Sequence, residues 1–137
     1  MIQSAEEFVQ LRRSHCQSDY LKAASEAASL DVWVDVIQRF PEMKIWVALN
    51  KTVPTEILAA LAKDADSDVR ATVAMKNKLT EELYVLLASD SDDGVRERVA
   101  FNKNTPTKVL ERLSRDKQPQ IAEQARRRLA EDPTDIA

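Results

Sequence analysis

The chain is poor in the residues that characterise several common protein classes. Of its 137 residues only Gly94 is glycine, and aromatic residues make up 5%. Phosphate-binding loops need several glycines close together, so the sequence excludes a P-loop, a dinucleotide fingerprint and a kinase-type glycine-rich lid. Hairpin turns also depend on glycine, and strands are rich in aromatic residues, so we do not expect an all-β sandwich or barrel.

Cysteine and histidine are each present once, as the neighbours Cys16 and His15. A single cysteine provides neither an internal disulfide nor a cysteine-based metal site. Adjacent side chains on a helix diverge by about 100°, so these two do not form a nucleophile and its base. Because no other group of residues suggests chemistry, we expect no catalytic residue, no metal and no cofactor.

Long apolar segments are missing as well. No apolar run approaches the about 20 residues that a membrane-spanning helix needs. The segment that begins at Met1 carries neither the basic nor the apolar part of a signal peptide. The single cysteine is compatible with a reducing compartment. These features predict a cytoplasmic protein that does not contact the membrane.

Charge is distributed unevenly along a chain whose net charge is −3. Residues 54–93 carry 4 basic and 9 acidic side chains, whereas residues 94–137 carry 10 basic and 7 acidic ones. The middle of the chain is therefore acidic and the C-terminal third is basic. A dedicated duplex-binding domain is usually basic overall, because neutralising phosphates supplies much of its affinity. The net charge therefore disfavours nucleic-acid binding. Because the C-terminal third is basic, however, nucleic-acid binding stays open as an alternative function.

The most informative feature is an internal repeat. Three consecutive segments of equal length align without gaps, and they share a Val-Ala pair, a leucine and an aspartate. Such repeats indicate a helical array whose copies must stack, because a single helix pair cannot bury its own apolar face. We therefore predict one helical-repeat domain over residues 1–137. Its predicted parts are an N-terminal helical cap (1–29), a degenerate repeat (30–45), three repeats (46–71, 72–97, 98–123), and a C-terminal cap with a mobile tail (124–137).

Each repeat is predicted to form two short helices. The first begins near Pro54, because proline suits the start of a helix, where its missing N–H would be unpaired anyway. The second helix is capped by Asp66 or Ser67. Asn50 and Asn102 follow second helices, and we expect them to adopt the left-handed backbone conformation that often ends a helix.

The repeat pattern is Val-Ala-x-Asn-x-x-x-Pro-x-x-x-Leu-x-x-Leu-x-x-Asp-x-Asp-x-x-Val-Arg. It resembles the leucine-rich repeat variant family and, more broadly, the HEAT-like repeats of armadillo-type superhelices. The resemblance covers residues 46–123 well and 30–45 weakly. It implies an all-α fold, a short right-handed α-α superhelix (a solenoid) of about four helix pairs. In the first repeat it is carried by Val47, Ala48, Asn50, Pro54, Leu58, Leu61, Asp64, Asp66, Val69 and Arg70, with copies at the same places of the next two repeats.

An aspartate and an arginine recur in the repeats, and two roles are open for them. They could form a ladder that binds a ligand. Alternatively, each aspartate accepts hydrogen bonds from the arginine or a backbone N–H of the neighbouring repeat, and the resemblance to HEAT-like proteins favours this internal ladder. Arg70→Ala should then lower the melting temperature. The predicted ladder consists of Asp64, Asp90, Asp116, Arg70 and Arg96, and the third repeat has Ala122 in place of the arginine.

Trp33 and Trp46, the two tryptophans, lie at the degenerate repeat, and the sequence leaves their role open. Tryptophan is enriched in binding hot spots. It also fills the core where a repeat array meets its cap.

Stacked repeats expose an extended surface that suits protein partners, so we expect a non-catalytic protein–protein interaction scaffold with a partner of unknown identity. The predicted surface comes from exposed positions of the second helices: Lys44, Thr72, Lys76, Arg98 and Phe101. The alternative is nucleic-acid binding, which the resemblance permits because some HEAT-like proteins are DNA glycosylases. The basic patch for that alternative consists of Lys103, Lys108, Arg112, Arg115, Arg126, Arg127 and Arg128.

Overall fold

The computed structural model describes residues 1–131, and the predicted mobile tail at 132–137 lies outside them. Within the described residues the chain forms ten α-helices, one 3-10 turn and no β-strand, so the predicted all-α class is confirmed. None of the helices in this part of the chain combines the length and the apolarity that crossing a bilayer requires. The chain divides into two compact units, Met1–Lys63 and Asp64–Ala137.

The first unit folds around an aromatic core. The rings of Phe8 and Trp33 meet edge to face with centroids 5.3 Å apart, and both side chains are fully buried. Ser4 and Ser29 begin two of the helices by accepting backbone N–H groups of the first turn. The helices are α1 (Ala5–Arg13), α2 (Gln17–Ser25), α3 (Leu30–Arg39), α4 (Lys44–Leu49) and α5 (Thr55–Leu61), with the 3-10 turn Pro41–Met43 before α4.

The second unit is centred on one helix. Its helices are α6 (Ser67–Ala74), α7 (Glu81–Ala88), α8 (Asp93–Phe101), α9 (Thr107–Leu113) and α10 (Pro119–Glu131). Helix α8 contacts the other four, and α7 also contacts α9. Val95, Val99 and Ala100 of α8 are fully buried. The apolar face of α8 therefore forms the middle of the core.

The alanine that recurs in the repeats is fully buried in each copy, at Ala48, Ala74 and Ala100. A small side chain at this point leaves room for neighbouring helices. Ala23, near the end of α2, is also fully buried. The N-terminal segment, which did not align with the repeats, therefore carries the same small residue in its second helix.

In the repeats, a residue with an extended backbone stands at the N-cap position just before a helix. Pro54 and Pro106 stand at the N-cap positions of α5 and α9, one place before the predicted first helical residue. Thr80 occupies this position at α7 and accepts a backbone N–H of that helix. The ψ angles of Pro54 and Thr80 are 155° and 156°, so this repeat position holds residues that suit an extended backbone. Asp66 caps α6 by accepting the N–H of Asp68, which confirms the predicted cap.

The predicted left-handed residues at Asn50 and Asn102 are wrong. Their φ angles are −62° and −69°, in the extended region, and no residue from 1 to 131 has a positive φ. The extended backbone directs both side chains inward, where they are buried. These asparagines therefore act through their side-chain amides.

Side chains at this repeat position bind the end of the preceding second helix. Asn50 Nδ2 donates to two carbonyl oxygens at the end of α2, at 2.7 and 3.0 Å. Asn102 Nδ2 donates to two carbonyl oxygens at the end of α6, both at 2.8 Å. Arg128, one repeat later, donates to two carbonyl oxygens just after α8, at 3.0 and 2.9 Å. The last carbonyls of a helix have no partner within it, so these bonds satisfy acceptor groups that the helix leaves unpaired. We call the position of residues 50, 76, 102 and 128 the carbonyl-binding position.

Gly94 lies in the first turn of α8 without a positive φ, so nothing in its backbone requires glycine. Its N–H donates to Asp92 Oδ1 at 2.8 Å, and an added Cβ would meet only that flexible oxygen, at 2.9 Å. Asp68, at the same position of the preceding repeat, makes the same bond to Asp66 at 2.8 Å and carries a Cβ.

We expect Gly94→Ala to raise the free energy of unfolding by about 0.5 kcal/mol, because alanine restricts the unfolded chain more than glycine does. Urea denaturation followed by far-ultraviolet circular dichroism would measure the change. A lower midpoint than that of the wild type would mean that the Asp92 carboxylate cannot move aside.

Candidate functional site

The arginines and aspartates of the predicted ladder join one repeat to the next. Arg70 Nε donates to Asp90 Oδ2, and Arg96 Nε donates to Asp116 Oδ2, both at 2.8 Å. Each arginine also donates through Nη1, at 2.8 Å, to the backbone carbonyl of the aspartate in its own repeat, Asp64 or Asp90. The guanidinium groups of both arginines and the carboxylates of Asp90 and Asp116 therefore bond within the protein.

The ion pair between Arg96 and Asp116 is buried and ionised. Burial acts to raise the pKa of Asp116, but hydrogen bonds from Arg96 and from the N–H of Gln118 outweigh it and hold the pKa below its usual value. The hydrogen bond to Asp116 raises the pKa of Arg96, against the opposing effect of burial. Arg96 Nη2 makes a further bond, to Asp93 at 2.7 Å.

The predicted partner surface is wrong at Thr72, whose side chain is buried. Its hydroxyl donates to the backbone carbonyl of Asp68, one turn earlier in α6, at 2.8 Å. A short side chain that bonds back to its own helix offers little to a partner.

Lys44 and Lys76, two other members of that surface, are half-buried. Lys44 occupies the repeat position of Arg70, and Lys76 occupies the carbonyl-binding position. Burial lowers the pKa of Lys76 below its usual value. Both lysines therefore stand at positions that hold structural side chains in other repeats.

Exposed apolar side chains occur at one position of all three repeats. Leu49, Met75 and Phe101 align with one another and are 39%, 45% and 58% exposed. Of these three residues, the sequence predicts Phe101 as part of the partner surface, but not Leu49 or Met75. The sequence does show that this repeat position is apolar in each copy. However, apolar residues at helical spacing are ordinarily assigned to a core.

Met75 and Phe101 line the same groove, with a volume of about 300 Å³. Arg98 also lines the groove, one turn before Phe101, and its Nη1 is 3.4 Å from the sulfur of Met75. We call this site the Met75 groove. Its lining residues are Met75, Asn77, Arg98, Phe101, Asn102 and Lys103.

The predicted basic patch is divided among several places. Arg112 and Arg115, with Lys117, line a second groove of about 530 Å³ beside the Arg96–Asp116 pair. Lys103 lies in the Met75 groove, and Arg128 is bonded to backbone carbonyls. The remaining members, Lys108, Arg126 and Arg127, are exposed, and Arg127 pairs with Glu123 at 3.3 Å.

The two tryptophans have different environments. Trp33 belongs to the core of the first unit, whereas Trp46 is partly exposed on α4. The guanidinium carbon of Arg12 lies 3.7 Å from the ring centroid of Trp46 and 5.0 Å from that of Tyr20. This cation–π stack holds Trp46 in place and leaves part of its surface accessible.

A groove of about 870 Å³ in the first unit contains His15. Other polar groups of its lining bond to the protein: Ser14 Oγ donates to Asp19 at 2.6 Å, and Glu6 pairs with Arg39. Across residues 1–131 no group of three His, Cys, Asp or Glu side chains could hold a metal ion.

No family model, curated protein or solved structure matches the chain. In the Met75 groove, exposed apolar side chains lie beside basic side chains, and no lining residue is acidic.

Proposed function

We propose that the chain is a non-catalytic protein–protein interaction scaffold built from helical repeats. The observation that carries the proposal is the exposed apolar side chain at one position of three repeats, Leu49, Met75 and Phe101. Burying a large apolar side chain is favourable by about 1.5–3 kcal/mol, so a partner that covers any one of these residues gains affinity. Methionine and aromatic residues are also enriched in interfaces.

We further propose that the helix pairs stack as a short right-handed α-α superhelix of the HEAT-like or leucine-rich repeat variant kind. Two periodic features support this arrangement. Asn50, Asn102 and Arg128, at the carbonyl-binding position, each bond to the end of the preceding second helix. The two Arg–Asp pairs each join residues 20 apart. An experimentally determined structure should show each helix pair rotated in the same right-handed sense relative to the pair before it, and pairs that turn in alternating senses would contradict the superhelix.

The distribution of basic side chains favours a protein partner over a nucleic acid. A duplex-binding surface needs several basic groups directed at one phosphate backbone. Here they lie in two grooves and at a helix end, where Arg128 already bonds to the backbone. The net charge of −3 also opposes a polyanion.

We expect the double variant Met75→Asp/Phe101→Asp to lose the cellular partners that the wild-type protein captures. Two carboxylates at the apolar positions would oppose burial against a partner, since a buried charge without a counter-ion is costly. Both positions are exposed, so the fold should be retained. Immobilised protein, lysate from the source cells and quantitative mass spectrometry would measure the loss.

Val85→Asp/Leu86→Asp is the matched control. These residues lie on α7, each 39% exposed, and the control introduces the same two charges on a first helix. The control should keep the partners. Retention of all partners by both variants, or their loss in both, would argue against a binding surface on the second helices.

A further inference from the structure

The Met75 groove is a slot with two apolar walls. Met75 stands at the end of α6 and Phe101 is the last residue of α8, and both are exposed. A volume of about 300 Å³ lies at the lower end of the range for ligand pockets and is enough for one large side chain. The flexible thioether of methionine can adapt to side chains of different shape.

The rim of the Met75 groove is positively charged. Arg98 and Lys103 are exposed, and the guanidinium of Arg98 lies directly against the Met75 sulfur. Arg128 adds a third positive charge, because it donates to the backbone carbonyl of Lys103 at 2.9 Å. Among the six lining residues, all within the described part of the chain, none is acidic. In a protein of net charge −3 this is a local site of opposite sign, which favours a negatively charged partner.

We propose that the Met75 groove binds a short acidic peptide segment of a partner protein, which inserts one apolar side chain between Met75 and Phe101. Carboxylates on either side of that apolar residue pair with Arg98 and Lys103 through charge-assisted hydrogen bonds. This inference rests on the proposed scaffold function and specifies the chemical class of its partner.

A peptide fits the groove better than a nucleic acid does. Proteins that bind single strands combine a basic channel along the backbone with several aromatic platforms on which bases stack. The lining of the Met75 groove contains one aromatic residue, Phe101, and its volume accommodates one side chain. A nucleic acid is therefore included in the test as a competitor for the same site.

The test uses the full chain, labelled with nitrogen-15, and a synthetic peptide in which aspartates and glutamates flank a central Leu-Phe pair. Nuclear magnetic resonance should show saturable shifts at the amides of Met75, Arg98, Phe101 and Lys103. One control peptide replaces the Leu-Phe pair with serines, and another replaces every acidic residue with lysine. Each should bind at least about tenfold more weakly in fluorescence anisotropy, and a single-stranded DNA oligonucleotide should bind no better than these controls.

Variants of the protein test the two components of the groove separately. Phe101→Ser should weaken binding of the acidic peptide by about tenfold through the loss of the apolar wall, and Arg98→Glu/Lys103→Glu by at least as much through charge reversal. The three positions are exposed, so circular dichroism should show an unchanged fold. The control Val85→Asp/Leu86→Asp should bind the peptide as the wild type does.

Equal binding of the acidic peptide and its serine control, shifts confined to residues outside the groove, or tighter binding of the oligonucleotide would overturn the proposal. If Met75→Asp/Phe101→Asp loses its cellular partners but the acidic peptide does not bind, the scaffold function stands and the partner class is wrong. If the peptide binds in the groove but Met75→Asp/Phe101→Asp keeps every cellular partner, the groove does bind acidic peptides. The proposal that the cellular partners bind at this site is then wrong.

Discussion

Arg96→Ala should lower the free energy of unfolding by about 3–5 kcal/mol, the range expected when one member of a buried ion pair is removed. The side chain of Arg96 is 7% exposed and makes hydrogen bonds to Asp116, Asp93 and the carbonyl of Asp90. The carboxylate of Asp116, also 7% exposed, would remain buried without its arginine. Urea denaturation followed by circular dichroism measures the loss, because its signal includes the helices of the second unit, whereas both tryptophans lie in the first.

Two further variants separate the causes of this effect. Arg70→Ala removes the more exposed pair, with Arg70 15% and Asp90 8% exposed, and should cost less than Arg96→Ala. Arg96→Met/Asp116→Leu replaces both charges with apolar groups and should recover much of the stability that Arg96→Ala loses. An Arg96→Ala protein within about 1 kcal/mol of the wild type would show that water compensates Asp116, in contradiction to its burial.

The same pair makes the stability of the wild type depend on pH. A carboxyl whose pKa is lower in the folded than in the unfolded state contributes stability above its unfolded pKa, and that contribution disappears as the pH falls through the folded pKa. The pKa of Asp116 is lowered, so the unfolding free energy should fall as the pH drops below about 4, the ordinary value for aspartate. In Arg96→Ala the carboxyl of Asp116 stays buried without its arginine, and burial favours the protonated, uncharged form of that carboxyl. This variant should therefore lose less stability over the same pH interval.

Asn50→Ala should destabilise the first unit by about 2–4 kcal/mol, because it removes four hydrogen bonds of a buried amide to buried or partly buried groups, and a buried group left unpaired costs about 1–3 kcal/mol. Asn50 is 0% exposed, and its Nδ2 donates to the carbonyls of Ala23 and Glu26. Its Oδ1 accepts the backbone N–H of Thr52 at 2.8 Å and the hydroxyl of the same residue at 2.6 Å. Tryptophan fluorescence during urea denaturation reports this loss, because Trp33 and Trp46 both belong to the unit that contains Asn50.

Asn50→Asp distinguishes the amide donor from the volume of the side chain. The aspartate has nearly the same size, but it would direct a carboxylate oxygen at two carbonyl oxygens. It should therefore be at least as destabilising as alanine at neutral pH. Wild-type stability in Asn50→Asp would show that donation from Nδ2 is not what holds the end of α2.

Much of the helical organisation could be predicted from the repeats, because helix starts depend on local residues. Asp66 accepts an N–H of its own helix, and Pro54 restricts its own backbone. The role of Asn50 and Asn102 could not be predicted in the same way. Asparagine can serve as a left-handed residue at a helix end, and it can also serve as a buried side chain whose amide makes hydrogen bonds. The choice between them depends on carbonyl groups 24 to 28 residues earlier in the chain.

The candidate site was predictable only in part, because exposure depends on side-chain length as well as on helix position. Trp46, Thr72 and Arg98 occupy one repeat position, and the first and last are exposed while the threonine is buried. The short hydroxyl of Thr72 bonds to its own helix, whereas the long chain of Arg98 extends to the Met75 sulfur. The sequence predicts Arg128 as part of the basic patch, although its place one repeat after Asn102 is that of a structural side chain.

The bonds between repeats also have a consequence for how the chain folds. The Arg–Asp and carbonyl-binding contacts described above connect residues only 20 to 28 positions apart. Folding is faster when contacting residues are close in sequence, since less loop entropy is lost before a contact forms. Each repeat can therefore acquire its partners as soon as the next one has left the ribosome. We infer that the chain is suited to folding in order during its synthesis, one repeat at a time.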